Sequence, residues 1–245
     1  MKAKQRLLTL GVAVCATSLP AVAMQDPGWP EGGFFPGLYP SLPTGDVLEP
    51  LDRHAGPRDS ATRRLHLWIF VHDQAGETDA AKFMDWYVDW WLKDMETTVA
   101  PGVPITVSLR SRVPGVTDID YHRGDGVDRL REFRRAGAAH VKATGGQVDA
   151  LTKFVLFVGE PMASWPSGQR GVAAESLSAA IASNQGHRFV FAHEVGHLLG
   201  ATHEASEQRA FCTTNMGQMM LAKLGCYVYT RANDHKIRDY LRMYR

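Results

Sequence analysis

Past its first two dozen residues, the 245-residue chain has no apolar run approaching the ~20 residues that a membrane-spanning helix needs. An excess of either charge is also lacking: 27 Lys and Arg stand against 26 Asp and Glu, a formal net charge of +1. Such a balance does not supply the basic surface that neutralises nucleic-acid phosphates. The one cluster, Arg129, Arg131, Arg134 and Arg135, has the spacing of a solvated helix face, so no nucleic-acid partner is expected. Cysteine is scarce, with Cys15, Cys212 and Cys226 alone in the chain.

The first residues read as a targeting segment. Lys2, Lys4 and Arg6 precede an apolar run over 7–19, and Ala21, Val22 and Ala23 make an A-x-A cleavage site. This pattern predicts a secretory signal peptide over 1–23, cut after Ala23. A membrane anchor is the weaker alternative, because the run is short and broken by Thr9, Thr17, Ser18 and Pro20. Cys15 suggests a lipoprotein, but Val14 before it is larger than the small residue such sites carry. An exported chain, secreted or periplasmic and with no stable membrane insertion after cleavage, is expected. Losing three cations and no acid takes the net charge from +1 to −2. Cys212 and Cys226 survive as an even pair, most simply a disulfide in an oxidising compartment. Closing that loop contributes about 3 kcal/mol in the chain-entropy model. Their use as zinc ligands is the rival reading.

Residues 24–62 carry Pro27, Pro30, Pro36, Pro40, Pro43, Pro50 and Pro57, a density that sustains neither a helix nor a central strand. An extended leader is expected, acting as an arm or as a pro-segment that blocks a site. It holds no cysteine, which excludes a thiol switch on a metal.

From Arg63 the composition changes, and a single domain over 63–245 is expected. Strands are predicted over 65–71, 104–112 and 152–158, and helices over 80–98, opening at Thr78 and Asp79, and 126–144. This alternation predicts an α/β fold with a mostly parallel, twisted sheet. The Gly-, Ser- and Ala-rich stretch 161–186 predicts a further strand near 171–174. A helix over 187–200 follows, then a largely irregular part and a final helix over 233–244 with Ile237, Tyr240 and Leu241 inward.

The chemistry concentrates in residues 193–203, HEVGHLLGATH. Residues four apart share a helix face, so His193 and His197 can present two imidazoles to one metal ion. Gly200 can take the left-handed conformation that ends a helix, letting His203 return as a third ligand. Three protein ligands leave a fourth position for water, the mark of a catalytic zinc rather than a structural one. Glu194, beside that water and not itself a ligand, is the candidate general base. The competing reading is an amphipathic helix with incidental histidines.

The eleven residues match HExxHxxGxxH, and on them the chain resembles the metzincin metallopeptidases. The resemblance implies one catalytic Zn2+ on His193, His197 and His203, with Glu194 as base and a polypeptide substrate. It further implies an antiparallel edge strand along the cleft and a methionine turn beneath the metal. Met216 is the first candidate for that turn, Met219 and Met220 the next, and an ordinary packing methionine the alternative. The pair Gly45, Asp46 faintly resembles the aspartate switch of astacin pro-segments, though such a pair is commonly a turn. Glu204 also resembles astacins, but Gln218 stands where they carry tyrosine, so the subfamily is unassigned. Tyr227 or Tyr229 is a candidate to stabilise an oxyanion. The expected function is a monomeric, exported zinc endopeptidase. A zinc-binding recognition module without turnover and a hydrolase of cell-wall peptides are the alternatives.

Overall fold

The computed structural model describes residues 48–57, 63–123, 125–161, 170–185, 188–217 and 224–244, all within one compact unit. The expected signal peptide, the leader through residue 47 with Asp46, and Gln218, Met219 and Met220 lie outside the described residues.

The strands β1 (Leu51–Ala55), β2 (Leu65–Val71), β3 (Ile105–Ser111), β4 (Thr152–Val158), β5 (Gly171–Ala174) and β6 (Ala179–Ser183) form one sheet. Its order is β1-β3-β2-β4-β6-β5. The four inner strands run parallel, and both edges, β1 and β5, are antiparallel to their neighbours. β2 and β4 are near-continuous apolar runs because both of their faces are covered. On one face Leu67, Ile69 and Val155 meet Phe83, Met84, Val88 and Trp91 of the first helical rod. On the other, Phe70, Phe154 and Leu156 meet Leu130, Phe133 and Val141 of α3 (Gly126–Ala143). The expected α/β architecture is thus present, a mostly parallel sheet between helical layers.

Local signals set the helix starts. The Asp79 side chain accepts from Lys82 N at 3.0 Å and that of Asp125 from Asp128 N at 2.8 Å, each satisfying an amide that the helix leaves free. The rod is not uniformly α-helical: α1 (Ala80–Phe83) and α2 (Trp90–Asp94) are each continued by wider π turns, Met84–Asp89 and Met95–Val99.

Two strands differ from the sequence expectation. β1 lies within the proline-rich segment, so the sheet extends upstream of Arg63. It is an edge strand with Pro50 just before it and Pro57 just after, where a missing N–H costs no ladder bond. β6 is Ala-rich and fully buried between β4 and β5, and its small residues carry no pattern that marks a strand.

After α4 (Val190–Leu198) the chain is largely irregular. It contains the short pair β7 (Cys212–Thr213) and β8 (Leu224–Gly225), then α5 (Arg231–Tyr244) with Ile237, Tyr240 and Leu241 buried. Cys212 and Cys226 form the expected disulfide, with Cα atoms 5.1 Å apart. No helix of the described residues is long and apolar enough to cross a membrane.

Candidate metal centre

α4 packs beneath β5 and β6 through buried Phe191, Ala192, Val195 and Leu198. This fixes the opposite side, where His193 and His197 stand one turn apart with ring centroids 4.9 Å from each other. The helix stops at Gly200, whose φ of +82° is the left-handed value its role requires. Its N–H reaches His197 O at 3.2 Å, and Ala201 N reaches Gly196 O at 2.9 Å. From α5, Asn233 then grips the returning chain. Its Oδ1 accepts from Thr202 N at 2.9 Å and its Nδ2 donates to Thr202 O at 3.2 Å. His203 follows directly.

Nε2 of His203 lies 3.0 Å from Nε2 of both His193 and His197. Nδ1 of His193 donates to Asn215 O at 2.7 Å, and Nδ1 of His197 to Ala201 O at 3.2 Å. With those protons on Nδ1, the Nε2 lone pairs of both rings converge on a common point. Burial, reinforced by the neighbouring imidazoles, holds His193 down to about 4 and lowers His197, so both rings are neutral. Converging lone pairs on neutral rings suit a cation. A tetrahedral zinc bound at about 2.1 Å needs nitrogens about 3.4 Å apart, close to this spacing. Backbone carbonyls behind ligand imidazoles are the usual means of fixing ring orientation. Imidazole donors also suit copper, iron or nickel, so the donor set makes a candidate metal site without choosing the metal.

Glu194 is buried beside this cluster, and burial pushes its carboxyl up to about 8. Its carboxylate lies against Gly171 of β5, where any Cβ would collide with it. β5 and α4 are the walls of a cleft of about 390 Å³ that holds Glu194 and all three histidines. The expected antiparallel edge strand along the cleft is therefore present.

Met216 is fully buried in a tight turn closed by Gly217 N to Thr214 O at 2.8 Å. It lies under α4 at Gly196, where a Cβ would come within 2.5 Å of the Met216 sulfur. Neither candidate tyrosine lines the cleft. Tyr229 is buried behind α4, donating to Ala192 O at 2.5 Å and accepting from Trp91 Nε1 at 3.1 Å. Tyr227 packs on Trp90, at 5.1 Å between centroids, and under the Arg188 guanidinium at 4.6 Å. Both are structural here. Sequence reading missed Gly171, Asn215 and Asn233. The first acts by lacking a side chain and the second through its carbonyl, which residue type does not reveal.

No protein-family model and no curated protein matches the chain. The site itself therefore carries the functional reading.

Proposed function

We propose that this chain is an exported zinc-dependent endopeptidase of the metzincin type, working in the cleft between β5 and α4. The observation that carries the reading is a buried carboxylate, Glu194, beside three histidines whose Nε2 atoms converge in one cleft. His193, His197 and His203 would hold the ion. When bound, zinc supplies a water acidified to near neutral pH and polarises the scissile carbonyl. Glu194, which burial alone favours as the neutral acid and which a bound dication would favour as the carboxylate, accepts a proton from the attacking water as its oxygen bonds to the carbonyl carbon. It returns that proton to the amide nitrogen as the C–N bond breaks, so that a carboxylic acid and an amine leave. The outer edge of β5, unpaired among the described residues, offers backbone groups to an extended peptide. The disulfide suits an oxidising compartment, in keeping with export.

The test is cleavage of a quenched, unfolded protein substrate by the purified chain, beside a chelated sample and two variants. Glu194→Gln is expected to keep stoichiometric zinc and lose about 10²–10⁴-fold in turnover, the range for a general base. His197→Ala is expected to lose both metal and turnover. Undiminished turnover in Glu194→Gln would remove the mechanism, and stoichiometric zinc with no cleavage by the wild type, either intact or after removal of residues 24–47, would favour a recognition module.

A further inference from the structure

β5 is an outer strand of the sheet: one edge pairs antiparallel with β6, and the strand forms a wall of the cleft. Gly171 at its start touches the Glu194 carboxylate, and Glu175 follows its last residue. At ~3.3 Å per extended residue, Glu175 lies about 13 Å along the wall from the reacting end. Between them the cleft is lined by small or neutral groups such as Val172, Ala173 and Ala201. Apart from Glu194 and the histidines, Glu175 is the one ionisable group among the described lining residues.

The Glu175 side chain is exposed, and it makes no ion pair among the described residues. Lys153 lies behind it but is fully buried, and its ammonium is given to Ala150 O, Ser178 Oγ and Tyr240 OH. The Glu175 carboxylate feels the charge of the buried Lys153 but makes no contact ion pair with it, and no Lys or Arg stands among the described lining residues of the cleft. Partly walled from water, such a charge attracts cationic groups and repels anionic ones more strongly than on open surface.

Resting on the peptidase reading, we propose that Glu175 selects peptides with a Lys or Arg side chain three or four residues before the cleaved bond. The direction follows from strand pairing. A peptide adding antiparallel to β5, as β6 does on the other edge, runs from Glu175 toward Gly171, so Glu175 meets residues on the amino-terminal side of the cut.

The experiment uses the zinc-loaded full chain and quenched peptides that differ only in Lys, Gln or Glu at each of the positions preceding the cut. The wild type is expected to cleave the Lys peptide with kcat/KM about 3- to 10-fold above the Gln peptide at the third or fourth position, and the Glu peptide below both. The preference should shrink with added salt. Glu175→Gln should flatten the ranking, and Glu175→Lys should invert it, an outcome that loss of folding cannot mimic. Cleavage blind to charge at those positions, or a ranking that both variants retain, overturns the assignment to Glu175 while leaving the peptidase reading intact. Failure to cleave any peptide or the unfolded protein, with zinc bound, removes both.

Discussion

A hydrogen in place of a methyl at Gly171 lets the Glu194 carboxylate lie against the edge strand, because a Cβ there would overlap its Oε1, Cδ and Cγ atoms. Glu194 is carried on α4 and Gly171 on β5, so in the proposed peptidase the position of the base would depend on how closely these two backbones approach. Gly171→Ala should move the carboxylate by about an ångström and lower kcat roughly 10²-fold, the cost of such a misplacement. Zinc content should stay stoichiometric, because no ligand moves; unchanged turnover would show that the carboxylate position is not critical. The three histidines were legible in the sequence because helical spacing and a helix-ending glycine place them with no long-range information. Gly171 was not legible, because it meets Glu194 across twenty-three residues and acts by absence. Asn215 was hidden for a related reason: its carbonyl, not its side chain, orients His193. The two tyrosines, candidates by residue type alone, stand outside the cleft lining, because residue type does not tell where a phenol faces.

Element by element, the sequence showed the strands and helices with strong apolar patterns, and it missed those whose neighbours define them. β2, β3 and β4 had the length and β-branched or aromatic content of buried strands, whereas β6 became a strand by lying between β4 and β5. Lys153 illustrates the same limit. It reads as an ordinary strand residue, yet its ammonium is shut inside, bonded to Ala150 O at 2.9 Å, Ser178 Oγ at 3.0 Å and Tyr240 OH on α5. Burial holds its pKa down to about 8 from an ordinary 10.5. Between these values the unfolded chain binds more protons than the folded one, so stability should rise with pH across that window and be flat in this respect below it. The slope is up to about 1 kcal/mol per pH unit. Burial raises the phenols of Tyr229 and Tyr240 above their ordinary 10.0, which acts in the opposite sense but only near and above that pH. Glu194, raised to about 8, also opposes the rise, but only up to about that pH, so urea midpoints between about pH 8.5 and 9.5 should increase for the wild type and lack this rise in Lys153→Met. Parallel pH profiles would mean that the amine keeps its proton when buried.

In the molecule as a whole, the sheet and its helices are held by two apolar cores, while the region between His203 and α5 has little regular structure. Cross-links replace core there. Asn233 ties Thr202 to α5, Tyr229 ties the lower chain to α4, and the disulfide joins Cys212 to Cys226 across a separation of 14 residues. A loop of that size is worth about 3 kcal/mol by chain entropy alone. Its placement gives it a second role. The turn that begins at Cys212 leads to Asn215, whose N–H bonds Val228 O at 2.9 Å and whose carbonyl receives the His193 proton at 2.7 Å. Cys226 N also bonds Thr213 O at 2.9 Å, so both ends of the cross-link border the segment that orients His193, a candidate metal ligand. Loosening such outer partners typically weakens metal affinity by 10- to 100-fold. The paired change Cys212→Ser and Cys226→Ser should thus cost about 3 kcal/mol of stability in the metal-free chain. It should also weaken zinc binding about 10-fold in a chelator-competition titration. The two effects are then coupled, and the variant should lose more stability with zinc present than after chelation, because zinc stabilises the folded state in proportion to its affinity. Equal zinc affinity in the two chains would reduce the disulfide to a staple on the unfolded state, with no part in holding the metal centre.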